Sequence, residues 1–181
     1  NEPVEGLQKI VLVGSPNVGK SVIFGNLTGK YVTVSNYPGT TVEVTRGKGN
    51  IRDTEFEVID TPGMYSLLPI TGEEEVARAI LLEENPGVVV QVADAKNIEK
   101  TLHLTLQLLE AGLPVILDLN LMDEAERLGI KIDIESLAGE LGIPVVSTVA
   151  TENKGMDTLG EIILGYKKSG VRAFKYDQTI E

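Results

Sequence analysis

The run Gly14-Ser15-Pro16-Asn17-Val18-Gly19-Lys20-Ser21 restricts this chain more than any other part of it. It fits the pattern G-x-x-x-x-G-K-[ST] and stands where that pattern has mechanical meaning. The β-branched run Ile10-Val11-Leu12-Val13 precedes it and a helical pattern follows. Glycines at both ends let the backbone wrap closely enough for successive N–H groups to face phosphates. The helix that opens after the loop adds the partial positive charge of its N-terminus. Lys20 is then placed to reach the β- and γ-phosphates of a nucleotide, and the Ser21 hydroxyl to ligate Mg2+. An ordinary glycine-rich turn has no need of strand, loop and helix in this register.

The rest of the chain repeats the alternation of short apolar runs with helix-period segments, the pattern of a mostly parallel sheet covered on both faces. Strands are predicted over 9–13, 41–50, 55–60, 87–93, 114–119 and 144–147, with 41–50 and 55–60 joined as a hairpin that makes one edge antiparallel. Helices are predicted over 21–28 and 73–84, where Glu73, Glu74 and Glu75 suit the positive end of the macrodipole. Three further stripes read as helices: Ile98, Leu102, Leu106 and Leu109; Ile134, Leu137 and Leu141; and Met156, Leu159, Ile163 and Tyr166. The fold class is α/β, a three-layer arrangement with a sheet of about six strands. Residues 31–41 and 61–72 stand apart as Gly-, Pro- and Thr-bearing loops, long enough to suggest function.

Three further groups bear on the ligand. Asn120-Leu121-Met122-Asp123 follows a buried strand, so a carboxylate there can accept from the N1–H and exocyclic amine of guanine, whereas adenine has no N1 donor. The competing reading makes Asp123 only a cap for a helix over 124–128. Asp60-Thr61-Pro62-Gly63 ends a strand with D-x-x-G. Asp60 can hold magnesium through a water, and the Gly63 N–H can touch a γ-phosphate, although strand-end Asp before Pro-Gly is otherwise an ordinary turn. Thr40 and Thr41 lie in the first long loop, and Thr41 is the expected magnesium ligand when the γ-phosphate is present, giving an order–disorder switch. Ser147 and Thr148 are expected to set backbone N–H groups near the base. These groups make the chain a GTP/GDP-binding domain with the P-loop GTPase fold, the nucleotide lying at the carboxyl ends of the strands.

Composition narrows the partners. A net charge of −11 and a pI near 4.6 argue against nucleic acid, which needs clustered Lys and Arg. There is no cysteine and one histidine, His103, which excludes thiolate and multi-histidine metal sites and leaves His103 as a helix-surface residue. The acidic runs Glu73–Glu75 and Glu83-Glu84 read as solvated helix ends. No apolar run reaches the ~18 residues of a membrane span. The opening residues lack the charged and apolar regions of a signal peptide, so the chain as given is expected to be soluble.

The segments GSPNVGKS, SNYPGTTVEV, DTPGMYSL, NLMD and LHLTLQLLEAGLPV together resemble the G domain of the FeoB-type ferrous iron transport proteins, across roughly residues 9–168. The resemblance implies a cytoplasmic GTPase domain of a larger membrane protein that takes up Fe(II). Residues 1–8 then form a disordered tail, 9–168 the G domain, and 169–181 the start of a helical segment leading to the membrane domain. It also implies slow hydrolysis that potassium accelerates, with Asn17 as the potassium ligand. A monovalent cation beside the β–γ bridge offsets developing charge as an arginine finger does. The residues expected to act in hydrolysis are Lys20, Thr41, Gly63 and Asn17.

Met64 follows Gly63 where many GTPases carry a water-orienting glutamine, and a thioether cannot position water. Leu121 replaces the lysine of the commoner N-K-x-D, which implies modest affinity and fast GDP release. Asp118, inside an apolar strand, has no explanation in the sequence. Two alternative functions remain: a ribosome- or RNA-associated GTPase, against which the acidic charge speaks, and a nucleotide-dependent scaffold that oligomerises through its two long loops.

Overall fold

The computed structural model describes residues 6–29 and 31–169. Residues 1–5 of the expected tail and 170–181 of the expected helical segment lie outside them, while Gln8, expected in the disordered tail, opens the first strand. One sheet of seven strands organises the chain: β1 (Gln8–Val13), β2 (Val32–Asn36), β3 (Glu43–Ile51), β4 (Thr54–Asp60), β5 (Val88–Asp94), β6 (Val115–Asn120) and β7 (Val145–Ser147). Their order across the sheet is β2-β3-β4-β1-β5-β6-β7. β1 pairs parallel with β4 and β5, β5 with β6, and β6 with β7, while β2–β3 and β3–β4 are antiparallel.

The parallel strands are apolar on both faces because both are covered. β6 is buried at every position, and β5 at all but the last. On one face, α2 (Gly72–Glu83) and α3 (Ile98–Glu110) pack Val76, Ile80, Leu104 and Leu108 against Val11, Ile59, Val89 and Leu117. On the other, α1 (Lys20–Leu27) and α6 (Met156–Ser169) pack Ile23, Phe24, Leu159 and Ile163 against Leu12, Val58, Val90 and Ile116. Two short helices, α4 (Met122–Arg127) and α5 (Ile134–Leu141), fill the approach to β7.

Six of the seven strands and five of the six α-helices fall where the sequence places them, while α4 overlaps only the helix over 124–128 of the competing reading, and its N-cap is Leu121 rather than Asp123. The seventh strand, β2, lies inside the loop expected over 31–41. All five of its residues are exposed, so the short alternation of Val32 and Val34 with Thr33 and Ser35 corresponds to no buried face. The signal that was available is its β-branched content, Val32, Thr33 and Val34. The second long loop does lack regular structure up to Thr71, whose side chain caps α2 by accepting from the Glu74 N–H at 3.2 Å. His103 is exposed on α3, as its helix position implied.

Because β1, β4, β5, β6 and β7 run in one direction, their carboxyl ends bring together four segments separated in sequence. These are the loop after Val13, the turn after Asp60, the strand end at Asn120 and the turn after Ser147. That edge is where ligands bind in open α/β sheets.

Candidate nucleotide site

The loop from Gly14 leaves β1 and enters α1 at Lys20, with Gly19 as the N-cap residue and no side chain capping the helix. Gly19 is required twice over. Its φ of 86° is left-handed, and a Cβ there would lie 2.2 Å from Asn120 Nδ2. Val18 is buried, whereas Pro16 and Asn17 stand exposed at the loop's rim, Asn17 in the left-handed region at φ 64°.

Three of the expected site side chains converge. The Lys20 ammonium donates to the Asp60 carboxylate and to the Thr61 carbonyl, and the Ser21 hydroxyl donates to Asp60 Oδ2 at 3.4 Å. A strand-end carboxylate, an ammonium and a hydroxyl thus meet at the start of a helix. The turn after β4 is stitched to the loop: Thr61 Oγ1 donates to Leu12 O at 2.7 Å and the Met64 N–H to Gly14 O at 2.9 Å. Gly63 lies against Pro16, where a Cβ would approach Pro16 Cγ to 2.8 Å. Met64 itself is fully buried, so this position presents no side chain to the site at all.

Thr41 lines a cleft of about 830 Å³ with Glu43, Asp60, Pro62 and Gly72. Its neighbour Thr40 is committed elsewhere, donating to Tyr37 O at 2.8 Å and accepting from the Val42 N–H at 3.1 Å. The donor set fits Mg2+ bound together with a phosphate. Ser21, Asp60 and Thr41 offer hard oxygen, and among the described residues no cluster of three or more His, Cys, Asp or Glu exists to cage a metal without it.

At the far end, Asn120 is 2% exposed and spans the site. Its Nδ2 donates to Val18 O at 3.0 Å, and its Oδ1 accepts from the Ala150 N–H at 3.0 Å and from Thr148 Oγ1 at 3.1 Å. Leu121 follows in the left-handed region at φ 58° as the N-cap of α4, a conformation that costs a branched residue ~1–2 kcal/mol. It turns the chain so that Asp123 lies in the helix's first turn. Asp123 Oδ2 accepts from Arg127 at 2.7 Å, while its Oδ1 is buried and meets no donor. A buried carboxylate oxygen left unpaired is costly and fits a ligand that brings N–H donors.

The backbone role expected of Thr148 needs correction. The Thr148 N–H is taken by Leu119 O at 2.9 Å, which continues the β6–β7 ladder, and what Thr148 contributes is its buried hydroxyl. The backbone that reaches the strap is Ala150, in a turn over Ala150–Glu152 that Asn26 of α1 holds by donating to Ala150 O at 2.9 Å. Sequence reading stopped short of this turn because Val149-Ala150-Thr151 carries no side-chain signature.

Asp118 is also resolved. It is fully buried, its Oδ1 accepts from Thr148 Oγ1 at 2.6 Å, and its Oδ2 has no partner. Burial pushes its carboxyl up to about 7, against which the Thr148 hydrogen bond pulls.

Phosphate loop, Asp60 turn and Asn120 strap on a mostly parallel seven-stranded sheet define a P-loop GTPase fold. The family profile of ferrous iron transport protein B matches residues 8–163, and the chain belongs to that family. It is 40% identical over 176 residues to the Fe(2+) transporter FeoB of Escherichia coli (strain K12), covering 94% of this chain but 23% of that one. Among solved structures, the G domain of the T. maritima FeoB iron transporter superposes with a TM-score of 0.83 at 40% identity, covering 90% of this chain and 99% of that one. The cytosolic domain of the same transporter in a GMPPNP form gives 0.90 at 38%, over 97% and 69%. The chain thus spans under a quarter of the curated relative's length.

The buried carboxyl of Asp118 makes stability depend on pH with a definite sign. Between the unfolded value of 3.8 and the folded value of about 7, the native state keeps a proton that the unfolded chain has lost. Its contribution therefore declines as pH rises through that window and is level above it. Relative to Asp118→Asn, the unfolding free energy of the unaltered chain should fall by ~3 kcal/mol between pH 5 and pH 8. Denaturant titrations of both proteins at the two pH values measure this.

Proposed function

We propose that this chain binds GTP and GDP with Mg2+ and hydrolyses GTP slowly, as the nucleotide-dependent switch of a ferrous iron transporter. The observation that carries the guanine reading is the pairing of Lys20, Ser21 and Asp60 at one end of the strand edge with the unpaired Asp123 Oδ1 at the other. Relatives described in GDP and GMPPNP forms support the same ligand class.

In this reading the backbone of Gly14–Gly19 wraps the phosphates, Lys20 neutralises their charge, and Asp123 accepts from the guanine edge. Binding nucleotide draws the Lys20 ammonium from Asp60 toward phosphate and frees Asp60 for the magnesium shell that Ser21 and Thr41 share. Mg2+, held by Ser21, Thr41 and Asp60, would supply charge neutralisation at the phosphates. Because Thr40 is bonded within its own loop, Thr41 is the residue free to answer to the γ-phosphate, together with the Gly63 N–H. With Met64 buried, no side chain at that position orients a water, which supports slow turnover. Asn17, exposed at the loop's rim, would hold K+ beside the β–γ bridge in this reading.

The loops that would carry the switch outward are 31–41 and 61–71. The second exposes Tyr65, Leu68 and Ile70, the last 92% accessible, which supports contact with a protein partner, either the remaining domains of the parent protein or a second copy. Among the described residues no helix is long and apolar enough to cross a membrane, so the iron pathway belongs to other parts of the parent protein. The G domain would sit at the cytoplasmic face of the membrane.

Calorimetry with GDP and ADP tests the base assignment. GDP should bind and ADP should not, and Asp123→Asn should weaken GDP at least a hundredfold while xanthosine diphosphate recovers part of the loss. Equal affinity for both purines would remove the reading. Hydrolysis assayed at equal ionic strength in potassium and sodium tests the monovalent site. Potassium should accelerate the unaltered chain and leave Asn17→Ala unaffected, whereas equal rates in the two salts would exclude it.

A further inference from the structure

Asn120 holds the phosphate loop through Val18 O and the base-side turn through the Ala150 N–H, so whatever steadies this one amide steadies both ends of the site. The third group on it is the Thr148 hydroxyl. That hydroxyl has one proton and two acceptors in reach, Asp118 Oδ1 at 2.6 Å and Asn120 Oδ1 at 3.1 Å. Asp118, Thr148 and Asn120 are each no more than 2% exposed, so no water competes for the proton.

Among the described residues Asp118 faces no charge. On its own strand face, α1 brings Lys20, which is bound to Asp60 and Thr61, and α6 brings Asp157, which is exposed, and Glu161, which pairs with Arg52. The turn beyond β7 carries Glu152 and Lys154, paired with each other. β5 carries Gln91, bonded to Thr101 and Thr105 on the opposite face, and Asp94, paired with Lys96. β7 carries no titratable side chain. The protonation of Asp118 is therefore governed by its burial and by Thr148, and burial sets it near neutrality.

We propose that Asp118 and Thr148 are positioning residues that make the grip on guanine nucleotide sensitive to protons. Ionised Asp118 takes the Thr148 proton and leaves Asn120 Oδ1 with the Ala150 N–H alone. Protonated Asp118 donates its own O–H to Thr148 Oγ1, which turns the Thr148 proton onto Asn120 Oδ1. No bond other than hydrogen bonds changes, and the one proton taken up comes from solvent. The strap is thus tighter at acid pH. The inference rests on the nucleotide reading above and adds to it a residue pair acting through Asn120.

The test is the dissociation rate of a fluorescent GDP analogue, chased with excess GDP between pH 6 and pH 8. The unaltered chain should release it roughly fivefold faster at pH 8, the worth of about one hydrogen bond. Asp118→Asn, whose amide donates permanently, should lose that pH dependence and stay near the slow limit. Thr148→Val should lose it near the fast limit, and Thr148→Ser, which keeps the hydroxyl, should retain it. Titration of the analogue's own phosphate is common to all four proteins and cancels in the comparison. A flat profile in the unaltered chain, or a slope in Asp118→Asn or Thr148→Val equal to that of the unaltered chain, overturns the proposal. Failure to bind the analogue at any pH would remove the nucleotide reading and this inference with it.

Discussion

A single buried amide joins the two halves of this site. Asn120 stands at the end of β6, yet both of its polar atoms are spent on neighbours far away in sequence, Val18 in the phosphate loop and Ala150 beyond β7. The sheet order makes this possible. β6 lies one strand removed from β1 and directly beside β7, so its carboxyl end is the point from which both loops are within reach. The approach is close enough that Gly19 tolerates no Cβ, which places a glycine and an asparagine in mutual dependence across a wide sequence interval. Without that bridge the phosphate loop would rest on β1, α1 and the turn after β4, and the base-side turn on Asn26 and its own Val149–Lys154 pairing.

The same edge concentrates departures from the rules that hold in the core. Leu121 occupies a left-handed conformation, Asp123 keeps an unpaired buried oxygen, and Asp118 sits charged or protonated in a strand that is otherwise apolar. Each is a local cost, and they fall within six residues of one another on one strand and the helix that follows it. The well-packed faces, with Val11, Ile59, Val89 and Leu117 against α2 and α3 and their counterparts against α1 and α6, hold the backbone that carries this strain.

How far the sequence is legible depends on whether a residue's role is carried by its side-chain type. Lys20, Ser21, Asp60 and Asn120 are readable because their chemistry is specific and their spacing follows strand ends, and the structure brings the first three together directly. The buried strands are readable because parallel pairing demands apolar runs. β2 is hard to read because its alternation runs only from Val32 to Ser35 and, with every residue exposed, buries no face. Ala150 escaped because its contribution is a backbone N–H, and Thr148 was assigned a backbone role although its N–H is consumed by the ladder and only its hydroxyl is free to act. Asp118 was visible as an anomaly but not as a partner of Thr148, since β6 and β7 meet only in the folded sheet.

The dependence of both ends on one amide is most directly tested by titrating Asn120→Ala and the unaltered chain with GDP and, separately, with inorganic pyrophosphate. If Asn120 braces the phosphate loop as well as the base-side turn, both ligands weaken in the variant, although pyrophosphate never touches the purine end. An unchanged pyrophosphate affinity beside a lost GDP affinity would confine Asn120 to the base and contradict the account.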